Sequence, residues 1–374
     1  MPQSKVLDLT ADFLLIEADL QAAELLPKLG GTIKIAKLLS QYQSFDKLKS
    51  DDIKNALQPS FDKSPGKYVF GISQYGLSKE LTKIKRLGLE LKKSFSGRSV
   101  RFFYNDKGAL SSAAVVKNKL QQSEIILAGG HTLYLAQTRA VQDFEGYSRR
   151  DYGRPSRDSE RGMLPPKLAQ MMINLAGLRA KGKLLDPFCG AGTILQEASL
   201  LGFKNLVGTD KDAQAVAQTK ENLNWLRKQG VAGSIELYQM PVANLRQRFK
   251  AESFEAIVTE PYLGPARALQ KSWSPEKLSG LSQELGLLYI NALKQFFQLL
   301  KPRGRVVMIW PVFRSGFGQR YIEQLRAISK VGFELKTPTI AQTSLKSLLT
   351  ERQTLLYRRS GQKVGREILV WQKK

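Results

Sequence analysis

The chain has 374 residues, 42% of them apolar, and a formal net charge of +25. That is enough length and apolar surface for two or three domains with cores of their own. One cysteine, Cys189, and one histidine, His131, exclude internal disulfides and a zinc site of the usual Cys/His kind, and no metal is expected. His131 is read as structural. The lone cysteine fits a reducing, cytoplasmic compartment. The apolar runs are too short to cross a bilayer, and the first residues lack the order of a signal peptide, so no membrane association is expected.

The charge is unevenly spread. Residues 1–60 have a net charge of −1, residues 61–150 of +9 and residues 151–374 of +17. A polyanion is the natural partner of such a surface, with nucleic acid the leading candidate.

The first 60 residues predict a small α/β unit. Ala11–Ala18 reads as a strand and Leu20–Leu29 as a short helix, Gly30-Gly31 turns the chain into Thr32–Ala36, Asp51–Leu57 reads as a helix, and Pro59 ends the unit. From Lys67 the pattern restarts. Strands are predicted at Tyr68–Ser73, Val100–Tyr104, Ile125–Ala128 and Thr132–Val141, and a helix at Ser111–Leu120. Between the first two strands, Ser78–Lys93 sets Leu81, Ile84, Leu87, Leu89 and Leu91 among Lys79, Lys83, Lys85, Arg86, Lys92 and Lys93, an amphipathic basic helix. Gln142–Gly162 is polar and turn-rich, with five arginines. Arg149, Arg150, Arg154, Arg157 and Arg161 could clamp phosphates with their planar donors, or could pair with Asp151, Asp158 and Glu160. Both readings stand at this point. Pro165 and Pro166 then suit the start of a helix that runs to Ala176.

The most informative stretch is Lys183–Asp210. An apolar strand ends at Asp186, the turn Pro187-Phe188-Cys189-Gly190-Ala191-Gly192 opens a helix at Thr193, and a second strand, Asn205–Thr209, ends at Asp210. Glycines at such a turn let a ligand approach bare backbone at a helix N-terminus. An acid about 20 residues beyond suits the two hydroxyls of a ribose. The G-x-G loop is shorter than the dinucleotide and P-loop patterns, which favours a nucleoside cofactor without a pyrophosphate. Further on, Ala213–Leu226 predicts a helix, Ile235–Gln239 a third strand and Phe254–Gly264 a strand and turn. Glu276–Leu300 predicts one or two helices, Lys301–Gly304 a turn, and Arg305–Trp310 a strand. Gln319–Lys330 then predicts a helix, Gly332–Thr337 a strand, Ser344–Thr350 with Lys346 a surface insertion, and Arg366–Trp371 the final strand.

Asp186-Pro-Phe-Cys-Gly-Ala-Gly192 with Asp210 resembles motifs I and II of class I S-adenosylmethionine-dependent methyltransferases, in the form common among amino-methyltransferases of nucleic acids. LGGTIKIAK, the basic helix, SSAAVVKNKL and TLYLAQTRAVQD resemble the N-terminal part of the archaeal and eukaryotic tRNA guanosine N2-methyltransferases. Arg150–Ala176 and Tyr357–Ile368 resemble the same family. The resemblance implies an α/β fold: a Rossmann-like seven-stranded methyltransferase domain, mostly parallel with an antiparallel last strand, preceded by α+β ferredoxin-like and THUMP domains. The implied division is 1–60 ferredoxin-like, 61–145 THUMP and RNA-binding, 146–162 linker and 163–374 methyltransferase.

The resemblance further implies that Pro165, Asp186, Phe188, Gly190, Gly192, Thr193, Asp210 and Lys211 hold S-adenosylmethionine. The acid that in relatives accepts the adenine amino group falls on Pro241 here, so Gln239 or backbone groups take its place. In FEAIVTEPYLG, Glu260 falls on the family's catalytic acid, Pro261 on its first proline and Tyr262 on its second. Another register would put Thr259 on the acid; Phe254, Glu255, Ile257, Val258 and Gly264 favour the first. Glu260 and the backbone after it would bind the two amino hydrogens of guanine, and an aromatic ring would stack on the base. Glu260 is one methylene longer than the usual Asp, and a misplacement of about 1 Å could cost roughly two orders of magnitude in rate.

Lys83, Lys85, Arg86, Lys92 and Lys93, with Arg149, Arg150, Arg154 and Arg157, would grip tRNA, with guanosine at position 10 the implied target. The chain is expected to act as a monomer; some relatives use a small activating protein partner. Three alternatives stay open: guanine N2-methylation of ribosomal RNA, adenine N6-methylation of DNA, and a tRNA-binding protein whose methyltransferase site is degenerate.

Overall fold

A computed structural model describes residues 5–157, 163–231, 233–265, 274–315, 318–337, 349–359, 362 and 364–374. Asp158, Glu160, Arg161, Lys346 and all of the expected insertion before Leu349 lie outside the described residues. The chain divides into two compact units between Gly146 and Tyr147.

The first unit begins with the hairpin β1 (Lys5–Leu9) and β2 (Leu14–Glu17), then α1 (Ala22–Leu25). Next come β3 (Lys34–Tyr42), α2 (Ser50–Lys63), β4 (Tyr68–Tyr75), α3 (Leu81–Ser94), β5 (Val100–Phe103), α4 (Ser112–Lys117), β6 (Glu124–Gly129) and β7 (Leu133–Val141). Five strands form one sheet in the order β3-β7-β6-β4-β5. The period-two alternation of β4 puts Tyr68, Phe70 and Ile72 into the core that Ile53, Leu57 and Phe61 of α2 and Ile84 and Leu91 of α3 complete.

Two expectations are corrected here. Pro59 does not end the first unit; it sits inside α2. The lost backbone hydrogen bond is tolerated because Ile53, Leu57 and Phe61 form one buried stripe on both sides of the proline. The expected domain boundary at residue 60 therefore falls within a helix. β3 before it is hydrogen-bonded to β7 after it, so one sheet draws strands from both sides of that boundary.

A buried ion pair lies within this sheet. Lys34 Nζ bonds Glu124 and donates to the carbonyl of Leu110 at 2.8 Å, and both side chains are almost wholly buried. Glu124 also accepts from Ser73 Oγ at 2.5 Å and Thr138 Oγ1 at 2.7 Å. The two charges are thus fully hydrogen-bonded, which a buried pair requires. Burial pulls the Lys34 ammonium below the usual lysine range, and Glu124 opposes that shift.

A helix rather than an irregular linker, α5 (Phe144–Tyr152), occupies the chain after β7. The second unit then contains α6 (Pro166–Leu175), β8 (Lys183–Asp186), α7 (Thr193–Leu200), β9 (Asn205–Asp210), α8 (Ala213–Arg227), β10 (Ser234–Gln239), α9 (Leu245–Arg248) and β11 (Phe254–Thr259). It continues with α10 (Pro275–Leu299), β12 (Leu300–Ser315), β13 (Gly318–Arg320), α11 (Leu325–Val331), β14 (Phe333–Leu335), β15 (Leu355–Tyr357) and β16 (Val364–Lys373).

The sheet runs β10-β9-β8-β11-β12-β16-β14, seven strands as expected, with β13 added beside β12 and β15 beside β16. The strands from β10 to β12 are parallel and β16 is antiparallel to both its neighbours on this path. Leu184, Ala256, Val258 and Val307 pack under α6, α7 and α8. Leu185, Ile257, Val306 and Met308 pack under α9, α10 and α11. Both faces are covered, which explains the near-continuous apolar strands.

Local departures are small. The turn expected at Lys301–Gly304 is a register break inside β12, with Arg303 at φ 62°. The helix expected over Gln319–Lys330 is replaced by β13 and the shorter α11.

Removing one partner of the Lys34–Glu124 pair leaves a buried charge alone, so Lys34→Ala is expected to cost roughly 3–5 kcal/mol in urea unfolding. The double change Lys34→Met with Glu124→Leu is expected to recover most of that loss.

Candidate active site

The site is built at the carboxyl ends of β8, β9 and β11. After β8 the backbone turns sharply, with Gly190 at φ 50° and Gly192 at φ 80°, conformations glycine adopts without strain. α8 buttresses the turn. Thr219 Oγ1 donates to the carbonyl of Gly190 at 2.7 Å, and Asn222 Nδ2 to that of Ala191 at 2.9 Å. Asp210, at the end of β9, accepts from the N–H of Gly190 and of Asp212, each at 3.0 Å. A Cβ built on Gly192 would lie 2.9 Å from Thr219 Cγ2, whereas one on Gly190 meets nothing within 4 Å. The turn is therefore packed on its helix side and open above Gly190.

Asp186 is 1% exposed. Its Oδ1 accepts from Thr259 Oγ1 at 2.8 Å and from the N–H of Phe188 at 3.3 Å. Burial pushes its carboxyl up to about 7, and the neighbouring Asp210 and Glu260 add to the rise. Glu260 follows β11 directly. Its Oε1 accepts from Arg366 Nε at 2.6 Å, with 15% and 13% of the two side chains exposed. The carbonyl of Tyr262 is fixed by Tyr289 Oη at 2.7 Å. The Tyr262 ring is 50% exposed, while Pro261 is buried. Burial pushes the Tyr289 phenol well above its usual range.

Asp186, Phe188, Gly190, Gly192, Thr193 and Asp210 thus come together around one turn, with Glu260, Pro261 and Tyr262 on the next strand end. Lys211 and Gln239 are exposed beyond β9 and β10, and Gln239 Nε2 donates to the carbonyl of Lys211 at 3.5 Å. Pro165 is buried as the N-cap of α6, and Phe188 packs on the core.

The arginine segment departs from expectation. Arg154 is not a surface phosphate clamp: it is 3% exposed and donates from Nη1 to Thr193 Oγ1 at 2.7 Å. Arg150 pairs at 2.7 Å with Glu197 of α7, itself 1% exposed. The backbone N–H of Ser156 donates to Asn222 Oδ1 at 3.0 Å. These contacts brace the helix that follows the glycine turn. The Thr193 hydroxyl is accordingly already committed to Arg154. Arg149 and Arg157 are exposed, and Arg157 lies over the ring of Tyr152 at 5.4 Å.

In the first unit, Lys83, Lys85, Arg86, Lys92 and Lys93 are all exposed on α3. Lys83 pairs with Glu80 at 3.0 Å, Arg86 with Glu90 at 3.0 Å and Lys85 with Asp106 at 3.5 Å. Such exposed pairs are weak and salt-screened, so a polyanion can displace the acids. Sequence reasoning gave no role to Arg366 or Tyr289, and weighed Thr259 only as the acid position of the register it set aside. The only signal for Arg366 was its place in the Arg366-Glu367-Ile368 ending that resembles the tRNA methyltransferases.

Residues 154–315 match the family described as RMKL-like, methyltransferase domain. That stretch, less than half of the chain, is similar to this methyltransferase-domain family. The tRNA (guanine(10)-N2)-dimethyltransferase of Methanothermobacter thermautotrophicus is 39% identical over 123 residues, 33% of this chain and 33% of that protein. The Pyrococcus abyssi protein of the same name is 30% identical over 166 residues, 44% of this chain and 41% of that protein. The match thus spans less than half the length of these relatives. TrmN of Thermus thermophilus superposes with a TM-score of 0.53 at 17% identity, covering 96% of this chain and 89% of that one, which shows a shared fold.

Two outcomes test the geometry of the glycine turn. Gly192→Ala adds a clash with Thr219 to the strain of a left-handed backbone, about 1–2 kcal/mol by itself. It should therefore lower the urea midpoint more than Gly190→Ala, whose Cβ enters open space. The second outcome concerns pH. The folded-state value of Asp186 lies above its ordinary 3.8, so the folded chain holds more protons between about pH 4 and 7, and stability falls as pH rises through that window. Asp186→Asn is expected to flatten this part of the stability–pH curve.

Proposed function

We propose that this chain transfers a methyl group from S-adenosylmethionine to the N2 amino group of a guanosine in tRNA, with position 10 as the target. The observation that carries the reading is the Glu260-Pro261-Tyr262 turn, set one strand from the Asp186–Asp210 glycine turn. Support for the substrate comes from the names of the two archaeal relatives and from the resemblance of the first unit to ferredoxin-like and THUMP domains.

The residues present fit the cofactor: the open space above Gly190 leaves its backbone approachable, and Asp210 is placed to accept from ribose hydroxyls. Phe188, Lys211 and Gln239 border the same strand ends, with Gln239 taking the place of the absent acid at Pro241. The cofactor supplies an electrophilic methyl group on a sulfonium. The protein supplies position and acceptors. The guanine amine is a weak nucleophile because its lone pair is delocalised into the ring. Glu260 Oε accepts one amino hydrogen and the carbonyl fixed after Pro261 the other. These two acceptors draw the nitrogen toward a tetrahedral shape, so that its lone pair faces the methyl carbon. Transfer would break the sulfonium–methyl bond, leaving a neutral thioether, as the N–C bond forms, and the surplus amino proton would pass to Glu260 or to water. The exposed ring of Tyr262 stacks on the base, and the basic face of α3 with Arg149 and Arg157 binds phosphates, giving an affinity that falls steeply with salt.

The test is transfer of radiolabelled methyl to tRNA transcripts, ribosomal RNA and DNA in parallel. Label in tRNA, reduced by about 10²-fold or more in Glu260→Gln, is the expected result. Label in ribosomal RNA or DNA instead moves the assignment to those substrates. Salt-sensitive tRNA binding without transfer, which Pro241 in place of the usual acid would favour, overturns it in favour of a binding protein.

A further inference from the structure

We infer that Arg366 and Glu260 together read the Watson–Crick edge of the target purine, so that the pair, and not Glu260 alone, selects guanine; this rests on the proposed base methylation. Glu260 Oε1 is held by Arg366 Nε at 2.6 Å in a largely buried pair. Arg366 stands on β16, flanked by Pro311 of β12 and Tyr357 of β15 in the strand register, so its backbone is fixed from both sides. Such a bond removes freedom from the longer glutamate arm and sets its carboxylate at a defined height above the turn.

Chemistry then assigns the partners. A carboxylate accepts two hydrogens side by side, and the guanine edge offers N1–H and N2–H in that arrangement. A guanidinium has five N–H donors in a planar fork. One holds Glu260, and its Nη groups lie beside that contact, where O6 of the same base would accept. Guanine therefore meets acceptor with donor at three adjacent atoms. Adenine presents N1, an acceptor, to the carboxylate and N6–H₂, a donor, to the guanidinium, which leaves buried polar groups unpaired at both places. Sites built on such hydrogen bonds reject the wrong partner by far more than an apolar pocket can.

The experiment compares kcat/KM for tRNA carrying guanosine or 2-aminopurine riboside at the methylated position, using the wild type, Arg366→Ala and Arg366→Lys. 2-Aminopurine keeps the reacting amine but lacks both O6 and the N1 hydrogen, so the contribution of Arg366 is read from the difference between the wild type and the variants on the two bases. The wild type should lose at least about 10-fold on 2-aminopurine, a charged hydrogen bond being of that strength or greater. Arg366→Ala should lose more on guanosine than on 2-aminopurine by about the same factor, with Arg366→Lys between. Calorimetric binding of S-adenosylmethionine confirms that each variant is folded. If Arg366→Ala loses equally on the two bases, Arg366 only positions Glu260 and the inference is overturned while the methylation reading stands. If the wild type methylates no guanosine, the underlying reading fails and the inference with it.

Discussion

The arrangement depends on the hydrogen bond between Asp186 and Thr259, which joins the carboxyl ends of two neighbouring parallel strands. Asp186 is buried beneath the glycine turn, and its Oδ1 is satisfied by the Thr259 hydroxyl and the Phe188 N–H. One residue beyond Thr259 lies Glu260, and on the other side of β8 lies Asp210, whose oxygens hold the backbone of Gly190 and Asp212. The half proposed for the cofactor and the half proposed for the base are thereby fixed to each other through strand ends rather than through loops. A transfer reaction that depends on alignment needs that rigidity.

Three acids converge on this point, and concentrated negative charge in a poorly solvated place is costly. The fold offsets the cost in different ways. Asp186 has its carboxyl pushed toward the neutral form, Asp210 is bonded to backbone N–H groups, and Glu260 is matched by the Arg366 guanidinium. The same surplus suits a cationic methyl donor. The arginines of residues 150–157 act one layer out. Arg154 on Thr193 and Arg150 on Glu197 tie the segment before α6 to the helix after the glycine turn, so movement of that segment would be felt where the cofactor is expected.

The glycine turn, its two acids and the helix starting at Thr193 were legible in the sequence because they are local: dihedral demands and strand periodicity act within a few residues. Most strands were legible as apolar runs between turn residues, whereas their mostly parallel assembly into one sheet was implied by the resemblance, because pairing between strands leaves no local mark. What was not legible depends on partners distant in sequence. Arg366 reaches Glu260 from the antiparallel strand β16, and no spacing rule connects them. The choice open to Arg150 and Arg154, phosphate or protein acid, was decided by the buried Glu197 and Thr193 on α7, which composition cannot weigh. Pro59 read as the end of the first unit because its cost within a helix is real; the buried stripe of α2 outweighs it. The boundary at residue 60 failed because pairing of β3 with β7 joins segments nearly a hundred residues apart and leaves no local mark.

The measurement that goes most directly to the central claim is mass-spectrometric identification of the nucleoside formed when the protein acts on unmodified tRNA with S-adenosylmethionine. The account predicts N2-methylated guanosine as the product. Methylation at N6 of adenosine, or at any ring nitrogen of guanine, would contradict it, because the Glu260–Arg366 arrangement would then be presenting a different atom to the methyl group.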